Sequence, residues 1–477
     1  MEKNKISFYG GKGISLIPFV ILIVMVFVAV TKDAVSERVM WVGAVLGLFV
    51  IFFLAKDKKA FSEAIAKGMA DDVVVITAAC LFFAGIFTTT LRACGLVDGI
   101  LWAAYHIGAT GRIFTVVTFI AAALFATAAG TGLGTTMAGM SVLYPVGCLL
   151  GANPMLLAGA IIGGGAFGDN LAPVSDTTIC SAVTQGVDVP GVVRSRLRYS
   201  VAAGIITIIV LLIMGGGSHG AETVPYEQLQ AYMNPLGLLM LIPAVLTIVV
   251  AIKTSDVTFA CIVGTVACVV VAVPAGLIDF SEILCFSDGT ISGTIVSGIA
   301  SMVDVVILLM LVGSVVGVMT ASGGSDVLVN VATKVIRSVR GAELTIIVSE
   351  AILAGMTGIN APAILALGTP FVKPIGEKYK ISPYRRANLL DAAACTINYT
   401  LPWTSIVLLA AATSKDVNAM FGDLVPAFGA WDVFWYPIYA WALLVVILFA
   451  AITGWGRKYM GPDGGEVDTL EQTERVI

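Results

Sequence analysis

Four stretches of this chain interrupt apolar sequence with glycine, proline and oxygen-bearing side chains. They are Thr131-Gly132-Leu133-Gly134-Thr135-Thr136, Gly168-Asp169-Asn170-Leu171-Ala172-Pro173-Val174-Ser175-Asp176-Thr177-Thr178, Thr357-Gly358-Ile359-Asn360, and Thr396-Ile397-Asn398-Tyr399-Thr400-Leu401-Pro402-Trp403-Thr404-Ser405. Carboxylate, amide and hydroxyl oxygens suit a hard cation such as Na+. Asp169 stands among neutral residues, and a buried carboxylate is costly unless it is paired or protonated. It is the first candidate for a group that binds either H+ or Na+, and Asp176 is the second. Asp176 and Ser175 read equally well as helix caps after Pro173. Thr131, Thr135, Ser175, Thr357, Asn360, Asn398 and Thr404 would supply further oxygens to the same ion. Asp391, five residues after Arg386, reads about equally as a surface ion pair or as part of an ion path. Glu350, inside an apolar stretch, is a secondary ion-path candidate.

Such groups need elements that bring them together. Pro173 and Pro402 each remove a backbone donor and break a helix, and Gly132 and Gly358 are expected to break the other two segments. Non-helical backbone at membrane depth is tolerated where it lines a cavity; freed carbonyls there face cations and half-helix N-termini face anions.

The composition places these breaks in a membrane. Of 477 residues, 58% are hydrophobic and 12% charged, about half the charge of a typical soluble protein, ~25%. The apolar content suffices for about ten to twelve spans of ~20 residues. A soluble enzyme, a disulfide scaffold and an outer-membrane barrel are excluded on these grounds. The net charge of −4 comes without a basic stripe, so nucleic acid is not expected as a partner. Eight cysteines sit mostly in apolar runs and only two histidines occur. No transition-metal site, no cofactor and no nucleophile–base pair are expected, which argues against an enzyme.

Apolar runs give spans at about 14–31, 39–55, 72–91, 199–214, 236–252, 257–275 and 303–320, and the placement of Lys and Arg orients them. The basic loop 56–67, an inside loop marked by Arg194, Arg196 and Arg198, and the segment 373–386 are expected on the cytoplasmic side, as are both termini. Segments 147–154 and 216–234 are expected outside. Residues 342–372 start and end inside, as a re-entrant hairpin or two short spans with Thr357–Asn360 at the turn.

Motifs recur in order between the halves. Phe61-Ser62-Glu63 recurs as Phe280-Ser281-Glu282, Asp72 as Asp304, Gly111 as Gly341, Thr131-Gly132 as Thr357-Gly358, Pro145 as Pro370 and Pro173 as Pro402. Equivalent loops carry opposite charge character, so the repeat reads as inverted, an architecture that serves alternating access with a site near the midplane. The expected fold is an all-α polytopic membrane protein with two inverted repeats, about ten transmembrane helices and two re-entrant hairpins. Its parts are a first repeat (1–215), an extracytoplasmic linker (216–235), a second repeat (236–456) and a cytoplasmic tail (457–477).

GAFGDNLAPVSDTT (165–178) resembles the G-D-K/N-x-S/A-P-x-S-D-T-T signature of the NhaC sodium/proton antiporter family, within the ion-transporter superfamily. GTGLGTTM (130–137) resembles that family's Gly-Thr-Gly-Thr-Ser stretch, and LLDAAACTINYTLPWTS (389–405) its second Asp-to-Pro-Trp region. The resemblance implies two hairpins and two interrupted helices around a sodium-dependent site. The resulting expectation is a secondary transporter of the cytoplasmic membrane exchanging Na+ for H+. The alternatives are Na+-coupled movement of a small organic carboxylate or amino acid and, in a different class, an ion channel. The lipid bilayer is its solvent, and a homo-oligomer is compatible with the sequence.

Overall fold

The computed structural model describes residues 6–30, 37–106, 108, 111–173, 175–215, 233–254, 256–287, 289–324, 327, 334, 336–462 and 465–473. The chain is mostly helical. The first half runs α1 (Ile17–Val30), α2 (Glu37–Leu54), α3 (Lys58–Met69), α4 (Asp72–Ala93), α5 (Leu96–His106), α6 (Gly111–Ala129), α7 (Gly132–Leu149), α8 (Pro154–Leu171), α9 (Asp176–Gln185) and α10 (Val189–Met214). The second half runs α11 (Leu241–Thr254), α12 (Val257–Ala272), α13 (Phe280–Ile283), α14 (Thr294–Ala300), α15 (Val303–Ser322), α16 (Val339–Thr357), α17 (Asn360–Leu367), α18 (Lys373–Lys378), α19 (Pro383–Ile397), α20 (Ser405–Phe421) and α21 (Ile438–Thr453). Strands β1 (Cys285–Ser287) and β2 (Thr290–Ser292) pair antiparallel in register Cys285–Ser292, Phe286–Ile291 and Ser287–Thr290, between α13 and α14. The tail carries a second small pair, β3 (Tyr459–Met460) and β4 (Glu466–Val467).

Burial is arranged for a membrane rather than for water. Phe53, Val270 and Val445 expose 74%, 65% and 64% of their surface, while Asp169, Arg196, Glu343, Glu350, Arg385 and Asp391 are buried. In lipid the apolar face is satisfied outward and charge must find partners inside the bundle. By length and composition, α10 and the Val74–Ala93 part of α4 can each cross a bilayer; shorter apolar helices include Arg38–Leu54, Thr258–Ala272, Val306–Ser322 and Ile438–Thr453. The expected spans coincide with helices, with one difference. Arg194, Arg196 and Arg198 lie within α10, which starts ten residues before the apolar run. Asp188 caps that start by accepting from Gly191 N at 2.8 Å, and Pro190 fits a first helical turn. Segment 216–232, the core of the expected linker, falls outside the described residues.

The helices make two sets of close contacts, joined where α4 and α5 pack on α7 and α11 on α6. In one, α1 packs on α2, α3 on α15, α4 on α12 and α14, and α11 on α12. In the other, α6 and α7 pack on α8, α7 on α20, α9 on α19, α10 on α19 and α21, and α16 on α19. The second group holds all four interrupted stretches. Arms α6, α7 and α16 have 19, 18 and 19 residues, about 27–29 Å at 1.5 Å per residue.

Both hairpins turn on a left-handed glycine, a conformation glycine adopts without steric penalty. These are Gly130 (φ 70°) between α6 and α7, and Gly358 (φ 68°) between α16 and α17. In the first hairpin the turn therefore precedes the expected Gly132, which is the first residue of α7. Thr131 caps α7, its hydroxyl accepting from Gly134 N at 3.3 Å. Pro145 is accommodated inside α7, while Pro370 lies in a single π-helical turn, Gly368–Val372, between α17 and α18.

Candidate functional site: a buried carboxylate where the breaks meet

α8 ends at Leu171 and α9 resumes at Asp176; α19 ends at Ile397 and α20 resumes at Ser405. Asp169, in the last turn of α8, is 4% exposed. Its Oδ1 accepts from Ser175 Oγ at 2.7 Å. Its Oδ2 accepts from Tyr399 OH at 2.7 Å and from Asn360 Nδ2 at 3.2 Å, with Cys395 Sγ at 3.9 Å. These partners come from the first break, the second break, the second hairpin tip and α19. The first tip joins through Gly132, where an added Cβ would collide with the Tyr399 phenol. The second tip is held to its break by Ser405 Oγ, which donates to Gly358 O at 2.9 Å, and by Trp403 Nε1, which donates to Gly355 O at 2.7 Å.

Ser175 occupies the N-cap position of α9, yet its side chain makes no cap bond there. The hydroxyl turns instead to Asp169 and to Thr177 Oγ1 at 2.9 Å, so the capping reading of Ser175 is replaced by a bond to the carboxylate. Asp176 begins α9; its side chain lies outside the described residues.

Asp391 is not a surface residue. It is fully buried on α19 and pairs with Arg196 Nη1 at 2.5 Å, both side chains 0% exposed. Ser181 Oγ and Asn170 Nδ2 each donate to it at 3.3 Å, and Cys395 Sγ lies 3.4 Å away. Arg196 Nη1 also donates to Asn170 O and to Thr178 Oγ1, the latter at 3.0 Å. Asn170, the chain neighbour of Asp169, thus ties the ion pair to the Asp169 site, and Cys395 lies between the two carboxylates.

The other candidate oxygens are near but turned elsewhere. Thr135 Oγ1 donates to Thr131 O (2.7 Å), Thr357 Oγ1 to Ile359 O (2.9 Å) and Thr404 Oγ1 to Leu401 O (2.8 Å). Asn398 lies against the Asn360 amide. There Asn398 Nδ2 donates to Asn360 Oδ1, the amide whose Nδ2 donates to Asp169. Pro402 is buried and Pro173 exposed. Glu350, on α16, is fully buried, and neither carboxyl oxygen has a hydrogen-bond partner among the described residues.

Tyr399, Cys395, Arg196 and Asn170 belong to this cluster, and the sequence reading did not select them. A signal existed for Arg196. On a helix, positions two apart are rotated by about 200°, so Arg196 cannot share a face with Arg194 and Arg198. Those two are exposed while Arg196 is buried.

The chemistry follows from the charge count. Among the described residues every polar contact to Asp169 is neutral, and the one guanidinium in the cluster is engaged by Asp391. A carboxylate so placed needs a mobile cation, a proton or a metal ion, to balance it.

A family model described as the Na+/H+ antiporter family matches residues 9–216 and 228–455. The chain belongs to the Na+/H+ antiporter family. It is therefore a membrane transporter and not an enzyme. Among its relatives, the malate-2H+/Na+-lactate antiporter of Bacillus subtilis is 30% identical over 43% of this chain and 46% of its own length. The arginine/ornithine antiporter ArcD of Halobacterium salinarum is 23% identical over 74% and 73%. The Na+/H+ antiporter NhaC of Alkalihalophilus pseudofirmus is 24% identical over 61% and 66%.

Proposed function

We propose that this family member exchanges Na+ for H+ across the cytoplasmic membrane by alternating access, with Asp169 carrying either cation. The observation that supports this most is the neutral shell of Asp169: Ser175, Asn360 and Tyr399 steady the carboxylate without neutralising it. Na+ and H+ then compete for one site, and each expels the other. Oxygens of Thr131, Thr135, Ser175, Thr357, Asn360, Asn398 and Thr404 would complete the Na+ shell once the hydroxyls and amides turn inward. Asp391 serves as the fixed counter-charge of Arg196, which holds α10 to α19 beside the site. In this reading the halves are inverted repeats, with about ten spans, two hairpins and both termini in the cytoplasm.

A second reading, Na+-coupled transport of a small carboxylate or amino acid, is favoured by the names of two relatives, which handle malate and lactate or arginine and ornithine. In that case the organic anion would meet the N-termini of α9 and α20.

The deciding assay is 22Na+ uptake by proteoliposomes under an imposed pH step, repeated with malate, lactate and arginine. Saturable Na+ uptake driven by the pH step alone is the expected result. Uptake that requires an organic solute would replace it with the second reading, and single-channel currents would exclude both.

A further inference from the structure

We propose that the cavity where α10, α19 and the tail meet binds a phosphate group, carried by a free phosphate ester or by a lipid headgroup. The place lies outside the Asp169 site, and the proposal does not rest on the Na+/H+ reading.

The cavity has a volume of about 300 Å³, at the small end of the ~300–1,000 Å³ usual for small-molecule sites. α10 contributes Arg194 and Arg198, α19 contributes Tyr384, Arg385 and Asn388, and the tail contributes Lys458. Gly456, at φ 68°, brings the tail in close, since an added Cβ would lie 2.8 Å from Arg198 Nη1. Arg194 and Arg198 stand four residues apart and so share one face of α10. Among the described residues neither guanidinium has a hydrogen bond or an ion pair. The other charged groups around the cavity are already engaged. Arg385 pairs with Glu343 at 2.9 Å, and Lys458 pairs with Asp468. Asp188 accepts from Tyr384 OH and from Gly191 N, and Glu466 accepts from Ser382 Oγ. The charge left over on the wall is therefore positive, and planar guanidinium groups match phosphate oxygens.

Asn388 is an independent observation at the same place. It lines the cavity and is only 1% exposed. Its Oδ1 has no hydrogen-bond partner, and among the described residues its Nδ2 has none either. Buried polar groups are nearly always paired, and an open one calls for a missing partner. An amide donates through nitrogen and accepts through oxygen. A phosphate ester answers both ends: its anionic oxygens accept from Nδ2 and the arginines, and a hydroxyl donates to Oδ1. An ionised carboxylate only accepts and would leave Oδ1 open. The position also matters. Asn388 is about one turn from Asp391 on α19, and Arg194 and Arg198 flank Arg196 on α10, so an occupant would bridge the same two helices that the Arg196–Asp391 pair joins.

The test follows thermal unfolding of the purified protein in detergent, titrated with inorganic phosphate against chloride at matched ionic strength. A ligand that binds the folded state raises its unfolding temperature as its concentration exceeds Kd. The parent protein should show that rise. Arg194→Gln/Arg198→Gln should need at least roughly tenfold more phosphate, because a hydrogen bond to a charged group contributes about that factor. Asn388→Ala, which loses no existing hydrogen bond, should weaken the response as well. Arg337→Gln/Arg340→Gln, which removes the same charge from exposed positions around the start of α16, should respond as the parent does. Repeating the titration in nanodiscs of phosphatidylcholine with and without phosphatidylglycerol identifies the source. A phosphate response abolished by phosphatidylglycerol supports a lipid headgroup, and a response retained there supports a free phosphate ester. No rise in the parent protein, or the same rise in the parent and in Arg194→Gln/Arg198→Gln, would overturn the proposal.

Discussion

Asp169 and Asp391 have the same side chain, lie on facing helices and do opposite work. Asp391 has a permanent cation 2.5 Å away, whereas among the described residues Asp169 has only neutral donors. Breaking a buried ion pair from one side leaves an uncompensated charge and costs about 3–5 kcal/mol. Asp391→Asn should therefore lower the unfolding temperature in detergent more than Asp169→Asn does. Adding Arg196→Gln to Asp391→Asn should recover part of the loss, as expected for directly coupled residues. A double variant whose destabilisation equals the sum of the singles would contradict the pairing. Asp169 was legible in the sequence because a carboxyl inside an apolar, proline-broken stretch has few structural uses. Asp391 was ambiguous because its partner lies 195 positions away, on a helix whose arginines looked like a loop. Tyr399 stands in the same break as Asn398, but a phenol is common in apolar sequence and only contact with Asp169 singles it out.

At the scale of elements, the site depends on close approach at helix ends. Gly132 lets the start of α7 reach the Tyr399 ring, whose Cζ would lie 2.7 Å from an added Cβ. Overpacking of this kind costs ~1–3 kcal/mol and here falls on a residue that donates to Asp169. We expect Gly132→Ala to fold and to lose at least about four-fifths of its Na+ flux, since ~1 kcal/mol corresponds to about a fivefold change. Gly13→Ala, where an added Cβ meets nothing within 4 Å, should behave as the parent. Normal flux in Gly132→Ala would show that the first hairpin tip does not support the site. The hairpins and breaks could be located from glycine and proline, whose backbone limits are intrinsic. The exact turn at Gly130 could not, because Gly130, Gly132 and Gly134 are equally permissive and packing against Tyr399 assigns their different uses.

Across the whole molecule large apolar side chains such as Phe53, Val270 and Val445 face outward around an apolar core that also holds a few charged groups, in keeping with the membrane protein that the composition indicates. In each half a helical hairpin is followed by an interrupted helix and then a further helix. Orientation in the membrane rests on Lys and Arg placement. A cysteine introduced at Lys378, exposed at the end of α18, should resist an impermeant thiol reagent in sealed cells and react in inverted vesicles. Labelling from outside would reverse the hairpin assignment. The central claim, that one carboxylate trades H+ for Na+, is tested most directly by 22Na+ flux through Asp169→Asn at matched expression from about pH 6 to about pH 9, because Na+ binding that displaces a proton depends on pH by linkage. In the parent protein, apparent Na+ affinity should fall as pH falls, because protons compete for the site. Asp169→Asn should remain folded in the membrane and carry no pH-driven Na+ flux, whereas near-normal, pH-dependent exchange by Asp169→Asn would contradict the account.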